Sequence, residues 1–448
     1  MLDTWFSSWL WPLSTLNWPK ENEELDYFYP TNTLVTAPDI IFFWVARMIM
    51  AGLEFRGKIP FEHVYFTSII RDELGRKMSK SLGNSPDPLD VIATYGADAL
   101  RFTVLYLAPL GQDVLYSNEK CEMGRNFANK IWNAGRFLMM NRESIEEDIL
   151  AQNDPSSVNV PIVSAQPPEE LSDRWILSRF NATVRDVTIA LENFRVNEAA
   201  KMLYEFMWHD FCDWYVEFVK NRLTGTNDSH LKRSVMNRAM RIYEETLHLL
   251  HPLMPFVTEE IWQHTSVRSQ GESIMMSRWP SADESLINPV AEQEMEFLQQ
   301  VITAIRSVRS DMNIPLGTSV DIVANCHDVK KQFVLDVNLP SLQKMAKVGN
   351  AEIGVELRKP GYSASAVVQG QEIFIPLKGL IDFDVERSRL EKEIVRIEGQ
   401  LRGVDAKLGN ASFTDKAPSD IIQREKDKKE NFEHTLNKLK SSLAQLAS

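Results

Sequence analysis

Lys77-Met78-Ser79-Lys80-Ser81 is the stretch on which the reading of this chain turns. Two lysines three residues apart sit in a polar loop after an apolar, strand-like run, with Gly75 before them and Gly83 after. A lysine is a compact point charge on a mobile stem, suited to following a phosphate through a reaction. Held in a glycine-punctuated loop, the pair can form a lid over a triphosphate, and a leaving pyrophosphate needs such preorganised positive charge. A K-x-x-K pair is equally ordinary on a solvated surface loop. The lysines by themselves leave both readings standing.

Working outward, Leu34-Val35-Thr36 and Val64-Tyr65-Phe66-Thr67 read as strands, each followed by a helix or loop carrying polar groups. Residues 1–118 therefore form an α/β unit. In an open α/β sheet the ligand crevice lies at the carboxyl ends of the strands. Asp39 and the lysine loop both fall just beyond such ends. Asp39 can accept hydrogen bonds from ribose hydroxyls or can cap the helix that follows it. The apolar run from Ile40 to Gly52 is interrupted by Arg47 and too short to cross a bilayer, so it reads as a buried helix.

Residues 119–290 read as a helical bundle. The pattern turns helical through Asn126–Ala134, breaks in a polar, proline-bearing linker from Asn141 to Glu170, and resumes over Leu171–Phe194, Val196–Leu223 and Arg238–Gln263. In the first of these helices, Asn126, Asn129, Lys130, Arg136 and Phe137 lie at helical spacing that can present a basic, aromatic face to RNA, where unstacked bases are caught on rings. A buried Phe137 fits the same pattern. Residues 291–383 read as a small α/β module: a helix over Glu292–Arg309, then strands at Val320–Ala324 and Gln371–Ile375.

The most regular periodicity lies in residues 384–448. Leu390, Ile394, Ile397, Leu401, Val404 and Leu408 alternate spacings of four and three, as does a second arm of Phe432, Leu436, Leu439, Leu443 and Leu446. Gly399 and Gly403 each cost the first arm about 1 kcal/mol against alanine. The breaker from Gly409 to Pro418 favours an antiparallel hairpin of coiled-coil arms over a dimerising coil.

Composition narrows the classes. A 448-residue chain with 44% hydrophobic and 25% charged residues is that of a soluble, multidomain protein. Cys121, Cys212 and Cys326 are far apart and form no C-x-x-C, which supports neither a zinc knuckle nor a disulfide framework and points to a reducing, cytoplasmic setting. His248 and His251 stand three apart without a third ligand, so no metal site is expected. The net charge of −13 is uneven: residues 387–448 hold 13 Lys/Arg against 10 Asp/Glu, leaving 36 against 52 elsewhere. Local basic stripes, not the total, decide nucleic-acid binding.

Taken with its flanks, the lysine loop resembles the second signature of the class I aminoacyl-tRNA synthetases. Leu2-Asp3-Thr4-Trp5-Phe6-Ser7-Ser8 with Leu10-Trp11-Pro12, Asp39 to Met48, Leu82-Gly83-Asn84, Asp87-Pro88-Leu89-Asp90, Tyr95 to Arg101 and His251 to Phe256 are similar, in order, to the valyl-tRNA synthetase family. The resemblance runs essentially end to end. It implies the second half of a Rossmann-type catalytic domain, a helical-bundle anticodon-binding domain, a small α/β junction module and a coiled-coil arm that touches tRNA.

The activity so implied is ATP-dependent activation of valine and its transfer to tRNA-Val by a full-length monomer, with Mg2+ as the counter-ion of ATP. Lys80 and Lys77 would be catalytic. Lys77, Met78, Ser79, Lys80, Ser81 and Asp39 would hold ATP, with backbone amides around Met78 and Ser79 as added donors. Trp5, Ile40 and Trp44 would wall the valine pocket, although pattern alone fits core positions equally well. Asn129, Lys130, Arg136 and Phe137 would meet tRNA. Relatives often carry glycine two residues before the aspartate, where this chain has Ala37.

None of the eight histidines sits in a His-Ile-Gly-His-type first signature, and no editing domain is recognisable. The chain is therefore expected to be a C-terminal half that is inactive alone. Two other readings are a non-catalytic tRNA-binding module and an isoleucyl- or leucyl-type synthetase fragment.

Overall fold

A computed structural model describes residues 3–108, 111–151, 170–380, 383–410 and 419–447. The chain groups into two compact units, one of residues 1–167 with 176–287 and one of 168–175 with 288–448.

The first unit opens with helices α1 (Thr4–Thr15) and α2 (Glu23–Phe28). Their starts are set by Asp3, which accepts from the Trp5 N–H at 3.1 Å, and by Asn22, which accepts from the Leu25 N–H at 2.9 Å. Leu13, Leu25 and Tyr29 bury a small core between them. Strands β1 (Thr31–Thr36) and β2 (Phe61–Phe66) pair in parallel, with Leu34 opposite Val64. The crossover carries a 3₁₀ turn at Pro38–Ile40, a widened π-type turn at Ile41–Val45 and helix α3 (Ala46–Arg56), which stops at Gly57 in the left-handed region.

The run from Ile40 is helical but not buried, a correction to the sequence reading. Only Val45, Ala51 and Gly52 are inside, whereas Phe42 is 78% exposed and Ile41, Phe43, Met50 and Leu53 are also exposed. Too few described residues pack on this side to cover the apolar stripe.

Two-residue strands β3 (Ile70–Arg71) and β4 (Val114–Leu115) pair in parallel, tied by an Arg71–Asp113 ion pair. Between them lie the lysine loop, α4 (Pro88–Tyr95) and α5 (Ala97–Leu107). Helix α6 (Cys121–Ala151) then crosses α5 closely: a Cβ on Gly124 would lie 2.4 Å from the Ala99 carbonyl oxygen. This helix runs eleven residues, Asn141 to Ala151, into the stretch read as a linker. Ile145 and Ile149 continue its buried stripe, and Arg142 donates to the Thr265 carbonyl at 2.6 Å. Residues 152–169 lie outside the described residues.

The bundle continues through α7 (Leu171–Glu192), α8 (Val196–Tyr204), a π-type segment (Glu205–Tyr215), α9 (Val216–Gly225), α10 (Ser229–Leu250) and α11 (Pro255–Thr265). Tyr243 is fully buried and donates to the Ile131 carbonyl at 2.7 Å, beside Gly135.

The second unit holds α12 (Pro289–Asp311) and a four-stranded sheet of order β6-β5-β8-β7. Its strands are β5 (Val320–Asn325), β6 (Val348–Gly354), β7 (Ser363–Val368) and β8 (Gln371–Pro376); β5 and β6 run parallel, joined through α13 (Val329–Val337) and α14 (Leu339–Met345). Arg309 is 6% exposed and donates to four carbonyls, those of Pro315, Leu316, Ala346 and Lys347, at 3.1–3.4 Å.

Helices α15 (Phe383–Leu408) and α16 (Ser419–Ala447) form an antiparallel hairpin. Leu390, Ile394, Ile397 and Val404 are buried in its seam, and Lys440–Glu398 (2.8 Å) and Lys429–Asp405 (2.7 Å) bridge the arms. The descending numbers of these partners fix the antiparallel sense within one chain. Residues 411–418 and the Leu446 side chain lie outside the described residues.

Candidate functional site

The carboxyl edge of the β1–β2 pair gathers two of the sequence-predicted elements. The Thr67 N–H donates to the Thr36 carbonyl at 2.8 Å, so the segment leading to the lysine loop and the turn carrying Asp39 leave the sheet side by side. Asp39 is exposed, within the 3₁₀ turn whose N-cap is Ala37. It does not cap that turn, and its carboxylate is left open to a ligand.

The lysine loop is built on Asp72, a buried carboxylate just past β3. Its Oδ1 accepts from the Leu74 N–H (3.1 Å) and the Arg76 N–H (2.8 Å), and its Oδ2 accepts from Arg76 Nε (2.7 Å) and Asn84 Nδ2 (2.9 Å). The Asn84 carboxamide, followed by the Arg76 backbone and guanidinium, holds the Asp72 carboxyl down to about 2 against its burial. A turn at Gly75, with φ of 75°, then brings Lys77 back to bridge Arg71.

Beyond Lys77 the loop closes on itself. Met78 packs against the core of Val91, Tyr116 and Cys121. The Ser79 N–H donates to Asn84 Oδ1 at 2.9 Å, and Asn84 Nδ2 also reaches the Lys77 carbonyl at 3.3 Å. One backbone donor that the sequence offered to phosphate is thus already engaged. The Ser79 hydroxyl lies 3.1 Å from that of Ser81 and accepts from the Leu82 N–H. Lys77 is exposed; Lys80 opens a 3₁₀ turn to Leu82, and its side chain lies outside what is described. A cleft of about 370 Å³ beside the loop is lined by Asp72, Arg76, Met78, Asn84 and Tyr116.

Trp5 and Trp44 meet edge to face at 6.4 Å, with the Arg47 guanidinium 4.1 Å over the Trp5 ring. Both are half-buried, so the pair forms an open apolar wall with a cation on its Trp5 side; Ile40 is half-buried as well. Sequence reading missed Arg47 as a neighbour of that wall.

On α6 the predicted RNA-facing residues divide. Asn129 and Arg136 are exposed. Lys130 is half-buried, paired with Asp213 at 2.7 Å and lying 5.2 Å from the Trp208 ring centre, so much of its charge is spent inside the protein. Phe137 is half-buried beneath Lys220. Trp132 and Met140 complete the exposed face at helical spacing; an indole between two polar positions was the available signal for them.

Two strings of the sequence explain each other. Buried Asp98 accepts from the Val257 N–H at 2.6 Å and the Phe256 N–H at 3.3 Å, capping the start of α11, while Arg101 donates to the Pro252 carbonyl at 3.3 Å. Burial raises the Asp98 carboxyl above its ordinary range despite these bonds. His251 and His248 each have a protein partner, Thr258 Oγ1 and the Glu244 carbonyl, both at 2.8 Å. Among the described residues no cluster of three His, Cys, Asp or Glu is placed to hold a metal. The three cysteines are buried, and burial pushes the Cys212 thiol up to about 12 and that of Cys326 up to about 11. No described helix is long and apolar enough to cross a membrane.

Comparison with known families assigns these parts. Residues 1–117 match the model for tRNA synthetases class I (I, L, M and V), residues 173–324 the anticodon-binding domain of tRNA ligase, and residues 382–447 the valyl tRNA synthetase tRNA binding arm. The chain thus carries parts found in the class I tRNA synthetase family.

Its relatives narrow the class. Along its whole length it is 46% identical to the valine--tRNA ligase of Chlorobaculum tepidum and 42% identical to that of Thermotoga maritima; over 99% of its length it is 43% identical to that of Fusobacterium nucleatum. The chain belongs to the valine--tRNA ligase family. It spans about half the length of the curated relatives it matches: 49%, 48% and 49% of these three.

Proposed function

We propose that this chain supplies the second-signature part of the active site and the tRNA-gripping parts of a valine--tRNA ligase. The reaction has two steps. A valine carboxylate oxygen attacks the α-phosphorus of ATP and pyrophosphate leaves, giving valyl-adenylate. A hydroxyl of the tRNA end then takes the valyl group and AMP leaves. ATP would enter as its magnesium complex.

The observation that carries the reading is the match of the whole chain to valine--tRNA ligases, with the lysine loop inside the segment that matches the class I model. In that reading Lys77 and Lys80 neutralise charge that develops on the β- and γ-phosphates as the bond to the α-phosphorus breaks. Asp39, exposed at the strand edge, accepts from the ribose hydroxyls. Ile40, Trp5 and Trp44 line the side-chain pocket, where each methylene is worth about 1–3 kcal/mol. Asn129, Lys130, Arg136 and Phe137 on α6 meet tRNA, and the α15–α16 hairpin grips it by charge.

In an active ligase carrying these residues, Lys80→Ala should lower valine-dependent ATP–pyrophosphate exchange about 10²–10³-fold, the usual loss for one transition-state donor. Affinity for tRNA-Val should stay within twofold. Equal losses in both would refute the assignment. A protein of these 448 residues alone is expected to bind tRNA without exchanging pyrophosphate; measurable exchange by it would overturn that expectation.

A further inference from the structure

One side chain ties the two limbs of the lysine loop together. Asn84 lies seven residues beyond Lys77, past the loop's far glycine, yet its carboxamide reaches back to both limbs. Oδ1 takes the Ser79 N–H at 2.9 Å, while Nδ2 donates to the Lys77 carbonyl at 3.3 Å and to Asp72 Oδ2 at 2.9 Å. Asp72 is the fixed end of this arrangement: buried, and ionised at neutral pH, it accepts from two backbone N–H groups and from Arg76 as well. An ionised carboxylate accepts only, so it dictates the carboxamide's orientation: Nδ2 toward Asp72, Oδ1 toward Ser79. Met78 is the second anchor, seated in the core of Val91, Tyr116 and Cys121.

The segment between the lysines is therefore pinned on both sides of Met78, at the Lys77 carbonyl and the Ser79 N–H. The Ser79 amide is the point of attachment, one peptide before Lys80.

We propose that Asn84 is a positioning residue for amino-acid activation, oriented by Asp72 and acting as a latch that sets the backbone between Lys77 and Lys80. This rests on the reading of the loop as the triphosphate-binding one. A lysine charge displaced by about 1 Å from its place in the transition state can cost on the order of 10²-fold in rate. The latch therefore acts on turnover, not on valine binding.

The test has two arms. In the 448-residue chain, Asn84→Ala should raise tryptic cleavage after Lys77 and Lys80, and deuterium uptake across residues 77–84, at least about fivefold, without shifting the melting temperature. Asn84→Asp should do the same at neutral pH, because two carboxylates would then face each other.

In an active ligase carrying these residues, Asn84→Ala should lower kcat of pyrophosphate exchange about 10–100-fold with KM for valine within twofold. Unchanged uptake in Asn84→Ala, or a loosened loop with unchanged kcat, overturns the proposal. Lys80→Ala separates the two levels. If it lowers exchange and Asn84→Ala does not, the latch alone fails; if it leaves exchange unchanged, the reading of the loop fails and the latch with it.

Discussion

Two buried carboxylates in the first unit, Asp72 and Asp98, are pushed in opposite directions, and the difference lies in what their oxygens touch. Asp72 receives the Asn84 carboxamide, the Arg76 guanidinium and two backbone N–H groups, and these outweigh burial. Among the described residues Asp98 receives the N–H groups of Phe256 and Val257 and no guanidinium or carboxamide, and burial wins. The sign of the consequence follows from linkage. An acid whose pKa is raised by folding holds its proton more tightly in the native state. Its contribution is thus fullest below the ordinary carboxyl value of 3.8 and declines as pH rises through the folded value. Asp98→Asn keeps an acceptor for the Val257 N–H and has no proton to lose. In denaturant titrations between pH 4 and 7, the stability of Asp98→Asn relative to the parent should therefore rise with pH. A difference that stays flat, or falls, contradicts the raised carboxyl.

Helix packing sets the next level. Gly124 lets α6 approach α5 until the Ala99 carbonyl lies where a Cβ would be, 2.4 Å away, and Thr103 crowds the same point. Gly124→Ala must separate the helices or distort them. Its better intrinsic helix propensity, about 1 kcal/mol, is offset by overpacking of typically 1–3 kcal/mol. A lowered melting temperature for Gly124→Ala is expected, and an unchanged or raised one would show that the contact yields freely. How much could be read from sequence differs by element for the same kind of reason. The α15–α16 hairpin was legible because its seam repeats at a fixed spacing and its breaker is internal. Strands β3 and β4 were not, since two residues carry no period. The length of α6 was missed because Ile145 and Ile149 lie among charged residues that hide their spacing in the sequence. The exposed apolar face after Ile40 was misread because hydrophobicity predicts burial only where something covers it. At the site, the lysine loop and Asp39 were visible as motifs. The Asn84 latch and the Lys130–Asp213 pair were not, because partners 12 and 83 residues apart meet only once the fold exists.

At the scale of the whole chain, an acidic protein is read as an RNA-binding one, which places the weight on local surfaces. In the proposed reading, the exposed α6 face with Asn129, Trp132 and Arg136 would offer an indole and a cation to unstacked bases. The hairpin spends several of its lysines on cross-arm and same-arm pairs, including Lys407–Glu425 at 3.6 Å and Lys428–Glu425 at 2.7 Å, so only part of its charge faces outward. Binding should therefore combine a modest salt-dependent term with base contacts that discriminate. The most direct test is the affinity of the purified 448-residue chain for tRNA-Val and for a non-cognate tRNA across a salt series. The account predicts weakening of both with salt and a preference for tRNA-Val that persists through the series. Equal affinity for the two tRNAs at every salt concentration, or no binding to either, would contradict it.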